Sequence, residues 1–311
     1  MKSSLLTAIL SARQNLFLLF AVLTISCFSY GQKEVPPQIG INPNPADHSQ
    51  LSSARSRVPF QLHAGYMVIV HGEIGGFTGL KFLLDTGATN SVVSRKVVDL
   101  LSLARRPGRV ISFDKTVTAE WVTVPDLRFG DIQEHNVSML VLSLAHLQPD
   151  AGLVDAVIGL DILRKRNFNI DFESNNAEFA HVGPASSSVP MTSSPICLTV
   201  EMKIGDSRVR LIVDMGMSGI LLYQDRVERR IPQLKIENKG TGWSVGGGMR
   251  VAQVIAPRVR IGDIDLDRRV FLMKGPPGNL LPGIDGYVGV SALRAGRVTF
   301  NFDEGTLSWK R

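Results

Sequence analysis

Phe82-Leu83-Leu84-Asp85-Thr86-Gly87-Ala88-Thr89 and Leu211-Ile212-Val213-Asp214-Met215-Gly216-Met217-Ser218 are two versions of one pattern, an apolar run that ends on an aspartate and turns at a glycine. Three further pairs of blocks follow in the same order. Phe129-Gly130-Asp131-Ile132 is matched by Ile261-Gly262-Asp263-Ile264, with the glycines 45 and 48 residues beyond the aspartates. Val157-Ile158-Gly159-Leu160-Asp161-Ile162-Leu163-Arg164 is matched by Tyr287-Val288-Gly289-Val290-Ser291-Ala292-Leu293-Arg294, with the glycines at offsets of 74 and 75. Asn169-Ile170-Asp171-Phe172 is matched by Thr299-Phe300-Asn301-Phe302. Four blocks in one order at nearly equal spacing mark an internal duplication.

Around these blocks the chain reads as short alternating or apolar runs cut by Gly, Pro, Asp and Asn, for example Tyr66-Met67-Val68-Ile69-Val70, Met139-Leu140-Val141-Leu142 and Arg258-Val259-Arg260-Ile261. That pattern predicts strands and tight turns. Helical periodicity is confined to pieces such as Ser94 to Leu103 and Gln224 to Arg230. The expected fold is all-β, in two lobes. Residues 183–194 have the Pro and Ser content of a linker, which divides the chain into an N-terminal lobe at 58–182 and a C-terminal lobe at 195–311.

The N-terminus has a different character. Lys2 and Arg13 precede a nearly uncharged apolar run from Asn15 to Ile25, and the small residues Ser29 and Gly31 then stand two apart. This is the pattern of a secretory signal peptide at 1–31, followed by a polar leader at 32–57. The run is shorter than the ~20 apolar residues of a full span, so cleavage is expected rather than anchoring. A lipid on Cys27 is the other possibility, with Thr24-Ile25-Ser26 a poor lead-in. The expected location is secreted or periplasmic, with no membrane span in the mature form. Cleavage would leave Cys197 alone, without a disulfide partner.

Composition excludes other classes. The formal charge of +6 comes from 34 basic residues dispersed among 28 acidic ones, and no basic run supports nucleic-acid binding. The six histidines have no metal-ligand spacing, and neither a Gly-x-Ser-x-Gly elbow nor a phosphate-cradling glycine loop with lysine occurs. Asp161, Asp171 and Asp303 read as turn or strand-end residues.

The paired aspartates are the chemistry the repeat offers. A strand can anchor each loop, its carboxylate projects at the strand end, and glycine allows the tight turn. Two such loops facing each other bring Asp85 and Asp214 close, where like charges share one proton and titrate as a unit. The ionised member takes a proton from water and the protonated member donates to the carbonyl under attack, so hydrolysis needs neither metal nor cofactor.

The stretch from Phe82 to Val93 resembles the active-site loop of retropepsin-like aspartic proteases, and Val157 to Leu163 is similar to the family's later hydrophobic-hydrophobic-Gly motif. Here two tandem units of that kind stand in one chain, as in the two-lobed pepsin plan. The resemblance implies two pseudo-twofold-related β-barrel lobes with the cleft between them. It also implies endopeptidase action by Asp85 and Asp214 on extended peptide or protein substrates, in a monomer that is its own pseudo-dimer. Flaps are expected near Phe113 and Asp114, and near Gly246, Gly247 and Gly248. Thr86, Gly87, Ala88, Met215 and Gly216 would shape the loops.

The second loop departs from the family pattern at Met215, which stands where a threonine hydroxyl would brace the opposite lobe. One side of that brace is expected to be missing, and the alternative to an endopeptidase is a weak or inactive peptide-binding protein of the same fold. Ala88 and Met217 follow the glycines where hydroxyl residues would lower a carboxylate's pKa, so an optimum at weakly acidic to neutral pH is expected.

Overall fold

A computed structural model describes residues 19–22, 56–112, 115–147, 154–180, 187–244, 247–276 and 281–311. The apolar phrase before each aspartate becomes the second strand of a hairpin. Met67–Ile74 pairs antiparallel with Phe77–Leu84, and Leu198–Ile204 pairs antiparallel with Ser207–Asp214. The turn between the first pair needs left-handed backbone at Gly75 and Gly76, with φ of 55° and 86°. Glycine takes that conformation without penalty.

The two halves correspond strand for strand. Ala156–Ile158 lies parallel to Phe77–Leu84 and antiparallel to Val92–Ser94, so it separates the strand entering Asp85 from the one that follows. Gly286–Gly289 does the same between Ser207–Asp214 and Ile220–Tyr223. Ile132–Leu142 then runs parallel to Val92–Ser94. Lys115–Phe129 pairs with Ile132–Leu142 and returns to Met67–Ile74, which closes a barrel. In the second half Arg269–Met273, Gly247–Ile255 and Val259–Ile261 make the same circuit back to Leu198–Ile204. There the long return strand is interrupted between Ile255 and Val259.

A six-stranded antiparallel sheet joins the halves. Its order is Ser56–His63, Asn176–Phe179, Phe168–Asp171, Arg297–Asn301, Thr306–Lys310 and Ser187–Ser193. The order reads alike from either edge, with the pseudo-twofold axis between Phe168–Asp171 and Arg297–Asn301. Phe168 and Phe300 stack at that axis with centroids 4.6 Å apart. The last strand corrects one expectation. Ser187–Ser193, read from composition as linker, is a strand that edges this sheet at Ser187 to Pro190 and pairs with Leu198–Ile204 from Met191 onward. Its Val189 and Met191 are buried while Pro190 between them is exposed. Half-burial on a sheet outweighs the loop propensity of its serines.

Among the described residues the α-helices are short. Two stand where the periodicity places them, at Arg95–Leu100 with Ser94 as N-cap and at Gln224–Val227, and a third, Leu160–Leu163, follows Gly159 without a periodic signal. Of residues 1–55 only Leu19–Val22 is described, a strand parallel to Gly242–Ser244. The remainder of the expected signal peptide and leader, up to residue 55, lies outside the described residues. No helix among the described residues is long and apolar enough to cross a membrane.

Candidate active site

Each aspartate ends its strand at the inner edge of a lobe, and both side chains are fully buried. The glycines explain how close they come. A Cβ on Gly87 would collide with the Asp214 carboxylate, and one on Gly216 would lie 2.8 Å from Asp85 Oδ2. Each glycine therefore serves as the floor under the other lobe's acid. The N–H groups of Gly87 and Gly216 both donate to Asp85 Oδ1, at 2.8 and 3.2 Å.

Thr86 ties the two loops together. Its hydroxyl donates to the carbonyl of Val213 (2.8 Å) and accepts from the N–H of Met215 (3.2 Å). Met215 supplies no reciprocal hydroxyl and instead buries its side chain in the main core. The brace is thus carried from one side, and two hydrogen bonds pass through a single hydroxyl. Thr89 adds another tie, donating from Oγ1 to the carbonyl of Ile196 across the lobes.

The later motifs hold the loops from behind. Ser91 Oγ donates to Asp161 Oδ1 (2.7 Å) and accepts from the N–H of Gly159 (3.0 Å), while the N–H of Leu160 donates to the Ala88 carbonyl (2.8 Å). Gly159 and Gly289 leave no room for a side chain, because a Cβ on either would strike the loop backbone at Ala88 and Asn90 or at Met217. Asp161, read from sequence as a turn residue, is a structural acceptor for the first loop. Asp171 and Asn301 do cap turns, accepting from the backbone at Ser174 and Glu304 respectively.

Electrostatics separate the two acids. Burial pushes the Asp85 carboxyl up, while hydrogen bonds from Asp214, Gly87, Gly216 and Ala88 pull it back. Burial raises Asp214 further, and the Asp85 charge and their shared hydrogen bond add to the rise, with only Gly216 opposing. Apart from the bond the two acids share and the weak pull of the Gly216 N–H on Asp214, no donor is in hydrogen-bond geometry to Asp85 Oδ2 or to either oxygen of Asp214. Two such acids in contact hold one proton between them, and Asp214 is the member that keeps it.

The apolar walls carry a residue that sequence inspection missed. Ala88 lies in a buried cluster with Tyr66, Leu83, Leu140 and Val157, and Met217 in another with Tyr223, Met249, Met273 and Tyr287. Tyr66 is buried with its hydroxyl unpartnered. Burial first, then the charges of Asp214 and Asp85, raise the pKa of that phenol. By strand register its counterpart is Ile196, so the second half has no phenol at that position. No spacing rule singles out Tyr66, because only the fold brings it near acids that are distant from it in sequence.

The two expected flaps are hairpins. Arg106–Ser112 pairs with Lys115–Phe129, closing at Ser112 and Lys115, and Lys235–Ser244 pairs with Gly247–Ile255, closing at Ser244 and Gly247. Phe113, Asp114 and Gly246 lie outside the described residues, and Gly247 and Gly248 open the returning strand. Ala119 and Trp121 of the first hairpin pack with the Ala88 cluster, and Met249 and Val251 of the second belong to the Met217 cluster.

No curated protein matches the chain. Residues 70–162, which run from the hairpin before Asp85 through the brace at Asp161, match the family model described as aspartyl protease.

Proposed function

We propose that the protein is an aspartic endopeptidase built from two tandem retropepsin-like units, with Asp85 and Asp214 as its catalytic pair. The observation that carries this reading is that each buried carboxyl is seated on the other lobe's glycine, which brings the two acids close enough to share a hydrogen bond. Asp85, held by two backbone donors, is the base: it takes a proton from a water whose oxygen attacks the peptide carbonyl carbon. Asp214 gives its proton to the carbonyl oxygen, forming a neutral tetrahedral diol. Collapse of that diol breaks the C–N bond as Asp85 gives its newly gained proton to the departing amine nitrogen and a diol hydroxyl returns its proton to Asp214, which leaves the dyad singly protonated again. The match of residues 70–162 to aspartyl proteases supports this chemistry for the first unit, and the corresponding strand pairings support the second.

Substrate would lie extended between the two hairpins against the apolar walls around Ala88 and Met217. Tyr66 faces the charges of both acids with a free hydroxyl, and we assign it the role of donating a hydrogen bond to the developing oxyanion. The test is incubation of purified protein with a peptide library across pH 3–8, with and without a statine-type transition-state analogue. Internal cleavage blocked by the analogue and absent from Asp85→Asn and Asp214→Asn is the expected result. A wild-type protein that binds peptides without cutting them would establish the peptide-binding alternative.

A further inference from the structure

Three neighbouring strands of the C-terminal half place cations side by side. Lys203 is in direct register with Arg208 on one side and Arg260 on the other. Strands lie about 4.8 Å apart, and like charges directly opposite each other destabilise a sheet. Compensation is thin. Glu201 lies 3.6 Å from Arg208 and 3.5 Å from Arg210. Arg260 reaches Asp265 only at 3.9 Å, and that carboxylate is already forked by Arg258 at 2.8 and 2.9 Å. Lys203 has no ion pair among the described residues, and the buried Nε of Arg260 has no hydrogen-bond partner. Above this row is a cavity of about 450 Å³, lined by Lys203, Arg208, Arg210 and Arg260 together with Glu201 and Met202.

The N-terminal half shows that the barrel does not require the row. At the corresponding positions Arg128 pairs with Glu73 in register, and Gly79 takes the place of Arg208, six residues before the aspartate. One half alternates its charges and the other stacks them, on equivalent strands. Repulsion that the fold can avoid, concentrated at a cavity, is the signature of a site for an anion.

We propose that this cleft binds a phosphoryl group, carried either by a small soluble ester or by a phospholipid headgroup. Four cations against Glu201 leave the cleft net positive, and guanidinium forks match the oxygens of a phosphate. No aromatic side chain lines the cleft to stack a base, which argues against nucleic acid. Arg208 stands six residues from Asp214, roughly 20 Å along an extended strand, so the site is separate from the dyad and does not rest on the peptidase reading.

The test compares the full-length protein with its Lys203→Glu variant, which restores the charge pattern of the other half. Isothermal titration with inorganic phosphate, in buffers matched with chloride for ionic strength, should show binding to wild type. It should weaken at least tenfold in Lys203→Glu, with thermal stability of the unliganded variant equal or higher. Arg208→Gln, an exposed change, should lower affinity as well and guards against a folding defect in the first variant. Sedimentation with phosphatidylglycerol or phosphatidylcholine vesicles separates the sources. Lysine-203-dependent pelleting with phosphatidylglycerol alone identifies a headgroup, and phosphate binding without pelleting identifies a soluble ligand. Absence of phosphate binding to wild type, or equal affinity in both variants, overturns the proposal.

Discussion

The two loops that meet at the pseudo-twofold axis have kept the same acid and glycine but divided the remaining work unequally. The first loop carries Thr86, whose hydroxyl serves both sides of the junction, donating to Val213 and accepting from Met215. The second carries Met215, whose side chain only fills the core. The same inequality extends to the acids: Asp85 receives two well-formed backbone hydrogen bonds, whereas at Asp214 only the weak pull of the Gly216 N–H opposes the rise. Symmetry of backbone therefore coexists with asymmetry of proton affinity. A duplicated site needs only one proton between two carboxyls, so the loop that holds it can lose polar support with little harm.

The comparison breaks most sharply at the acids themselves. Asp85→Asn and Asp214→Asn should each lower kcat by about 10²–10⁴-fold, because each removes one half of the proton relay. Peptide turnover with near-ultraviolet circular dichroism as a fold check measures this. Retention of most activity in Asp214→Asn alone would mean the second half is structural.

The next largest effect is expected at the brace. Thr86→Val removes both hydrogen bonds and leaves a buried carbonyl and a buried N–H unpaired, at about 1–3 kcal/mol for each. Met215→Val removes buried hydrophobic volume without touching a polar group, and should cost about 1 kcal/mol. Denaturant melts of the two variants rank the loops; equal losses would show that the brace is not carried from one side.

Met215→Thr sharpens the same point in reverse. The new hydroxyl can supply the reciprocal tie, while the smaller side chain gives up core contacts, so net stability should move by no more than about 1.5 kcal/mol. A several-fold rise in kcat with KM unchanged is expected, and no change in kcat would mean that the second brace is dispensable.

The acids also set a pH dependence whose sign follows from burial. Both carboxyls are raised in the folded protein, so their contribution to stability is full below about pH 3.9, the unfolded aspartate value. It is lost as pH rises through the folded values. Asp214→Asn should therefore melt higher than wild type at pH 7, with the advantage fading near pH 3.5. The opposite trend in a pH series of Tm values would contradict the protonation assigned to the pair. Activity should rise as the first proton leaves the dyad, above the ordinary carboxylate range, and fall as the second leaves.

Tyr66→Phe is the mildest change. It deletes a buried hydroxyl without a protein partner, so stability should stay level or rise by up to about 1 kcal/mol. A fall in kcat with KM preserved would support the donor role, and an unchanged kcat would reduce Tyr66 to a wall residue.

Much of this was legible in the residues. Asp85 and Asp214 were found through the repeat, and the short helices through Ser94 and the periodicity after Gln224. Glycines 87 and 216 were recognisable as turn formers, although their second task, making room for the opposite carboxylate, was not. The strand Ser187–Ser193 was hidden by its serines, since its burial comes from pairing with Thr306–Lys310 far along the chain. The cation row was equally hidden. Lys203, Arg208 and Arg260 are ordinary surface residues until strand pairing aligns them.

Sequence alone determined where most strands and turns form, which two positions carry the acids, and that the second loop lacks its hydroxyl. Periodicity, glycine and proline are local properties, so they can be read within a few residues. Tertiary structure decided which groups touch: Thr86 with Val213, Thr89 with Ile196, and one carboxyl against the other. Those contacts span more than a hundred residues and exist only because two closed barrels share one sheet, whose packing, not any local preference, sets the distance between the acids.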